Sequence, residues 1–225
     1  MEKKNRKRLV LGTSLVVAFA LWTVFVRFID VQPIGPEGSS VGFATLNGFV
    51  HKLMGVNWVL YTITDWLGLV PIAAAFGFAI LGLVQLIGRK SLWKVDHSIL
   101  ALGVFYIVVM AVYVLFELVV INYRPTLIEG ILEASYPSST TMFVMCVMPT
   151  AAMQLNARIK NSVFRRCTVI AIVAFTAFMV VGRLLSGVHW ITDIIGGALL
   201  SAGLVTVYDA LAERGIRTLV CFRTN

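Results

Sequence analysis

The sequence has little charge, few cysteines and no long linker. Charged residues make up 13% of its 225 residues, against about 25% in an ordinary soluble domain, and the mean hydropathy is +0.88. This balance excludes water as the main solvent of the protein. The three cysteines, Cys146, Cys167 and Cys221, lack the spacing of a metal site. We therefore expect no metal site, and we predict that these cysteines pack as small apolar side chains.

Long apolar runs occupy most of the chain. Six runs bounded by charge cover residues 9–29, 58–87, 99–121, 141–155, 167–185 and 188–207. A helix needs about 20 apolar residues to cross the hydrocarbon of a bilayer. The sequence therefore predicts an all-α, polytopic membrane protein with six transmembrane helices in a bundle, forming a single membrane-embedded domain over residues 1–225.

An amphipathic stretch follows the first run. In residues 41–55 the apolar residues recur at helical spacing, with Asn47, His51 and Lys52 between them. This pattern is typical of a helix that lies in the outer membrane interface. The alternative is that the stretch is the ragged start of the second span.

The basic residues are distributed asymmetrically, and the net charge is +8. If the N-terminus is cytoplasmic, four of the nineteen Lys and Arg residues lie outside, and the other fifteen lie inside. The four are Arg27, Lys52, Arg124 and Arg183. This positive-inside pattern predicts a multi-pass protein with both termini cytoplasmic, and it argues against nucleic acid as a partner. The compact chain favours a bacterial plasma membrane.

His189 and Asp193 stand one helical turn apart at the start of the predicted sixth span. Charge at membrane depth is costly, so such groups are candidates for function. A carboxylate at this spacing can bind the Nδ1 proton of the imidazole and leave Nε2 free as a nucleophile. The alternative is a polar pair that only stabilises helix packing.

Two arginines are predicted at the same membrane face. Arg124 follows the third span, with Glu117 seven residues earlier on the same helical face, and Arg183 closes the fifth span. Guanidinium groups suit phosphate oxygens. Residues 137–140 introduce the fourth span, where free N–H groups of a helix N-terminus can bind an anion. Alternatively, the serines of this segment only cap the helix. Taken together, these groups predict phosphoryl transfer through a phosphohistidine.

Three blocks of the sequence resemble the motifs of the PAP2 superfamily of membrane phosphatases. The family patterns are Lys-x6-Arg-Pro, Pro-Ser-Gly-His and Ser-Arg-x5-His-x3-Asp. Here the blocks are Glu117-x6-Arg124-Pro125, Pro137-Ser138-Ser139-Thr140 and Gly182-Arg183-x5-His189-x3-Asp193. Their order and spacing match the family over residues 117–193.

The resemblance implies metal-independent dephosphorylation of a lipid phosphate or lipid diphosphate at the outer membrane face. It implies a membrane lipid as the partner and no cofactor. The implied roles are attack on phosphorus by His189, orientation of His189 by Asp193, binding of phosphate oxygens by Arg124 and Arg183, and completion of the cradle by Ser138 and the Ser139 amide.

Three positions depart from the family patterns. Glu117 replaces Lys, Gly182 replaces Ser, and Thr140 replaces the His assigned to protonating the leaving group. A threonine hydroxyl is no acid near pH 7, and general acid catalysis contributes about 10²- to 10⁴-fold. Thr140 therefore predicts a weak, a diphosphate-preferring or an inactive enzyme, or a chain altered at this residue. The rival functions are a catalytically silent phospholipid-binding protein and, without support from an inverted repeat, a transporter.

Overall fold

The computed structural model describes the backbone of residues 2–223 and the side chains of residues 3–212. Within these limits the chain is helical, with isolated β-bridges in two loops. The helices are α1 (Glu2–Phe28), α2 (Ala44–Met54), α3 (Trp58–Leu67), α4 (Leu69–Arg89), α5 (His97–Leu118), α6 (Ser139–Arg158), α7 (Ser162–Leu185) and α8 (Ile191–Arg223). The predicted all-α class is confirmed.

Five helical segments among the described residues are long and apolar enough to cross a membrane. They are Lys3–Phe28, Trp58–Arg89, His97–Leu118, Ser162–Leu185 and Ile191–Ala212. The protein is therefore an integral membrane protein with several spans. Its cytoplasmic termini remain a prediction, and the side chains of Arg214, Arg217, Cys221 and Arg223 lie outside the described residues.

The predicted fourth span, residues 141–155, lies within α6, which is not among the five apolar segments. Nine side chains of α6 are buried, so much of its surface faces other helices rather than lipid. Two of its buried polar side chains, Thr150 and Gln154, are hydrogen-bonded. Thr150 Oγ1 donates to the Cys146 carbonyl at 2.8 Å, and Gln154 Nε2 donates to Tyr208 Oη at 2.9 Å. A helix enclosed by protein needs less apolar surface than one that faces lipid.

The second predicted span lies within one apolar helical segment, Trp58–Arg89, in which a turn at Gly68 separates α3 from α4. The preceding stretch forms the separate helix α2, which ends at Gly55 with a positive φ of 65°. The prediction of a distinct helix in residues 41–55 is thus confirmed, and the alternative of a ragged span start is wrong. Its location in the membrane interface stays a prediction.

Contacts from α1 and α2 fix the start of α8. The indole of Trp22 donates to the Thr192 carbonyl at 3.1 Å. Asn47 Nδ2 donates to Thr192 Oγ1 at 3.0 Å and to the Gly42 carbonyl at 2.7 Å. At the opposite end of the same helix pair, Arg8 and Asp209 form an ion pair at 2.8 Å. These contacts anchor the segment that carries His189 and Asp193.

The two cysteines with described side chains differ in environment. Cys146 is fully buried in the main apolar cluster, as predicted. Cys167 lies exposed near the start of α7, so its predicted role in packing is wrong. At the start of α7, the side chain of Asn161 caps the helix.

Candidate active site

His189 lies in the turn between α7 and α8, and Asp193 lies in the first turn of α8. Their side chains are almost completely buried. His189 Nδ1 is 3.7 Å from Asp193 Oδ2, which is too far for a hydrogen bond. The direct hydrogen bond expected from the His-x3-Asp spacing is therefore absent from this pair.

Ser135 occupies the position between the two groups. Its hydroxyl donates to Asp193 Oδ2 in a short hydrogen bond and lies 3.2 Å from His189 Nδ1. The backbone N–H of Trp190 donates to the same carboxylate oxygen at 2.9 Å. The sequence motifs did not identify Ser135. It stands two residues before the Pro-Ser block, and no feature of the sequence marked it as a partner of His189.

Arg124 contacts the opposite nitrogen of the imidazole. Its NH1 is 3.3 Å from His189 Nε2, and its Nε is 3.0 Å from Glu133 Oε2. The prediction that Glu117 and Arg124 share a helical face is wrong, because α5 ends at Leu118. Arg124 instead follows in an irregular loop, where its backbone N–H donates to the Glu133 carbonyl at 3.0 Å.

Arg183, in the last turn of α7, is held by α3. Its NH1 donates to Thr64 Oγ1 and its NH2 donates to Asp65 Oδ1, each at 3.4 Å. The guanidinium carbon lies 4.9 Å from the centre of the Tyr61 ring, within the range of a cation–π contact. The sequence motifs did not predict these three partners, because the partners lie in a part of the chain outside the three motif blocks.

Ser138 is the N-cap of α6. Its hydroxyl accepts from the Thr141 N–H at 3.5 Å, and its own N–H donates to the Asp193 carbonyl at 3.1 Å. The side chain thus caps the helix, as the structural alternative predicted, and the backbone N–H is already bonded. Its contact with the Asp193 backbone joins the second and third motif blocks.

A small cleft opens beside His189. It is lined by Glu117, Ser135 and Ser139, among others, while Thr140 is not one of its lining residues. The carboxylates that pair with the two arginines come from other residues than Glu117: Arg124 pairs with Glu133, and Arg183 pairs with Asp65. The structure thus places Glu117 and Ser139 beside the imidazole and leaves Thr140 half-buried in the first turn of α6.

Burial and two positive charges control the protonation of His189. Burial lowers the pKa of the imidazole well below its ordinary value, and the charges of Arg124 and Arg183 lower it further. The imidazole is therefore neutral near pH 7 and able to act as a nucleophile or base. No group of three or more His, Cys, Asp or Glu side chains suited to a metal ion occurs among the described residues.

The protein is thus an integral membrane protein in which a neutral imidazole and buried guanidinium groups lie together at one end of a helical bundle. The sequence profile of the PAP2 superfamily matches residues 96–214, more than half of the chain. The chain belongs to the PAP2 superfamily, and the resemblance of its motifs to that family is confirmed.

A solved structure shares this fold. The chain is similar to a transmembrane PAP2-type phosphatidylglycerolphosphate phosphatase from Bacillus subtilis, with a TM-score of 0.57 and 21% identity. The similarity covers 90% of this chain and 96% of that chain. No curated protein matches the chain significantly.

Proposed function

We propose that this protein removes phosphate from a lipid phosphate or lipid diphosphate through a phosphohistidine on His189. The proposal rests chiefly on one observation: a buried, neutral imidazole has Arg124 at its Nε2 atom and a carboxylate network at its Nδ1 atom. Membership of a superfamily of membrane phosphatases supports the same reaction.

In the proposed first step, Arg124 NH1 transfers its hydrogen bond from His189 Nε2 to a phosphoryl oxygen, and the freed Nε2 lone pair forms a bond to phosphorus. The bond from phosphorus to the leaving oxygen breaks, and its electron pair stays on that oxygen. Arg124 and Arg183 bind the phosphoryl oxygens and stabilise the charge that develops on them. The N–H of Ser139 adds a donor from the N-terminus of α6.

In the second step, water attacks the phosphorus of the phosphohistidine. The N–P bond breaks, its electrons return to Nε2, and inorganic phosphate leaves. The attacking water loses one proton and the leaving oxygen gains one, so the net reaction is hydrolysis. Thr140 cannot supply that proton near pH 7, which favours a diphosphate substrate with its better leaving group.

We propose that the site faces the outer side of a cell membrane. The C-terminal ends of α5 and α7 and the N-terminal end of α6 lie around the site. The ion-pair network of Arg89, Asp96 and Arg158 lies at the opposite end of the bundle. The excess of basic residues predicted at that other end supports a cytoplasmic location for it. A lipid phosphate in the outer leaflet would then reach His189 from the membrane surface.

A catalytically silent phospholipid-binding protein is the second candidate. Two observations favour it: Thr140 stands in the place of the general acid, and both guanidinium groups are paired with carboxylates. Such a protein would bind a lipid phosphate at the same arginines without turning it over.

Phosphate release by the purified protein from lipid monophosphates and lipid diphosphates tests the proposal. We expect release from at least one of them, and we expect His189→Ala to abolish it. A matched control is His97→Ala, at the start of α5 and remote from the motif blocks. Lipid binding without release, unchanged in His189→Ala, would support the silent binder instead.

A further inference from the structure

We infer that Ser135 is a positioning residue whose hydroxyl connects Asp193 to His189, with the proton of the imidazole on Nδ1. The role in turnover rests on the proposed function. The hydrogen bonds themselves do not, because they follow from the donors and acceptors present. Ser135 is buried, with 2% of its surface exposed, so water does not compete for its hydroxyl.

The chemistry of arginine assigns the proton on the imidazole. A guanidinium only donates hydrogen bonds, so Arg124 NH1, 3.3 Å from His189 Nε2, requires Nε2 to accept. A neutral imidazole carries one proton, and the pKa of His189 is lowered well below its ordinary value by burial and the two arginines. The proton therefore resides on Nδ1.

This assignment determines the direction of the remaining hydrogen bonds. With Nδ1 protonated, His189 donates to Ser135 Oγ across 3.2 Å. The hydroxyl proton of Ser135 must then point to Asp193 Oδ2, which only accepts. The chain of donors runs from Arg124 and ends at the carboxylate, and every step has one donor and one acceptor.

Asp193 does not perform this role alone. Its Oδ2 lies 3.7 Å from His189 Nδ1, and the N–H of Trp190 holds the same oxygen at 2.9 Å. Removing the Ser135 hydroxyl would break the hydrogen-bonded path from Nδ1–H to the carboxylate and leave the Ser135 backbone as that residue's remaining hydrogen-bonding group at His189. The carboxylate would have to leave Trp190 to contact the imidazole directly, so Asp193 would no longer be connected to His189 through a hydrogen bond.

The relay acts on the chemical step. When Nε2 attacks phosphorus, positive charge develops on the imidazole, and the carboxylate stabilises it through Ser135. Substrate phosphate is bound by the arginines, which do not contact Ser135. Loss of the hydroxyl should therefore lower kcat by about tenfold or more, with little change in KM.

The first test needs no variant. The ¹⁵N chemical shifts of the His189 ring in the intact protein report which nitrogen carries the proton, and the chain has only three histidines to assign. We expect a protonated Nδ1 and an unprotonated Nε2 near pH 7. A protonated Nε2 would overturn the inference.

The second test compares Ser135→Ala with a matched control, Ser201→Ala. Ser201 is also a fully buried serine whose hydroxyl donates one hydrogen bond, to the Met142 carbonyl at 3.2 Å, away from His189. We expect Ser135→Ala to shift the ¹⁵Nδ1 resonance of His189 and to lower kcat with little change in KM, and Ser201→Ala to change neither. An unchanged ¹⁵Nδ1 shift and an unchanged kcat in Ser135→Ala would overturn the inference.

The ¹⁵N shifts also separate this inference from the proposed function. If the intact protein releases no phosphate but shows the expected Nδ1–H tautomer, with a ¹⁵Nδ1 shift that changes in Ser135→Ala, the phosphatase function fails and the relay stands. If phosphate is released at equal rates with and without the Ser135 hydroxyl, the function stands and the relay fails.

Discussion

Gly182 lies so close to Thr64 that a Cβ atom on the glycine would be 2.9 Å from Thr64 Cγ2. Thr64 and the adjacent Asp65 are hydrogen-bonding partners of Arg183. The glycine thus allows α3 to approach the last turn of α7 and hold the guanidinium. Gly182 departs from the serine of the PAP2 motif, and the close contact with α3 gives a physical reason for the smaller residue.

Gly182→Ser should therefore harm this protein, although it restores the family motif. The added Cβ must displace Thr64, and overpacking of this kind typically costs about 1–3 kcal/mol of folding free energy. We expect a lower thermal unfolding temperature in detergent and slower phosphate release.

Thr64→Ser is the matched second change, since it removes Cγ2 and keeps the hydroxyl that binds Arg183. The double variant Gly182→Ser/Thr64→Ser should recover most of the lost stability. A Gly182→Ser protein as stable and as active as the parent would contradict this account of the contact.

Under the proposed function, Glu133 should compete with the substrate phosphate for Arg124. Its carboxylate lies 3.0 Å from the guanidinium Nε and is 41% exposed, so the pair is partly screened by water. We expect Glu133→Gln to lower the KM for a lipid phosphate and the inhibition constant of inorganic phosphate by about two- to fivefold, the range of a partly exposed ion pair. Steady-state kinetics at low salt would measure both.

Glu129→Gln, at an exposed position in the same loop, serves as the control and should leave both constants unchanged. A higher KM in Glu133→Gln would show that Glu133 positions Arg124 rather than competing for it.

Thr140→His should supply the missing general acid. Thr140 lies in the first turn of α6 beside Ser139, which lines the cleft at His189. We expect turnover of lipid monophosphates to rise by about 10²- to 10⁴-fold, and that of diphosphates to rise less, because their leaving group needs less protonation. Equal rates of the parent and Thr140→His on both substrates would contradict the role of this position.

The membrane spans were predictable from the sequence because lipid imposes long apolar helices on any chain that crosses it. The same rule failed at α6, because a helix that is enclosed by other helices needs less apolar surface. The hydropathy of a segment indicates whether the segment contacts lipid, but it does not indicate which helices contact one another.

The chemical types at the site were also predictable. Arg124, His189 and Asp193 lie together as expected, and Arg183 is close enough to affect the pKa of His189. Ser135 and Tyr61 were not predictable, because their contacts depend on how distant segments pack. A serine or tyrosine carries no signal of such a partner in its local sequence.

The pH dependence of His189 follows from its environment. Since burial and the two arginines lower its pKa, the imidazole should stay neutral as the pH falls through the ordinary value near 6.5, and it should lose activity only below it. The acid limb of kcat/KM on a lipid diphosphate should thus have its midpoint below about pH 6.5. The ¹⁵N shifts of His189 should titrate in the same range, and a midpoint above that value would contradict the lowered pKa.

The proposed function requires that phosphate is transferred to His189. This transfer can be observed by mixing the protein with a lipid phosphate or diphosphate labelled with ³²P, stopping the reaction in alkali, and locating the label by peptide mapping. We expect an alkali-stable, acid-labile phosphate on the peptide that contains His189, absent from His189→Ala. Phosphate release without any labelled peptide, and equally fast in His189→Ala, would contradict it.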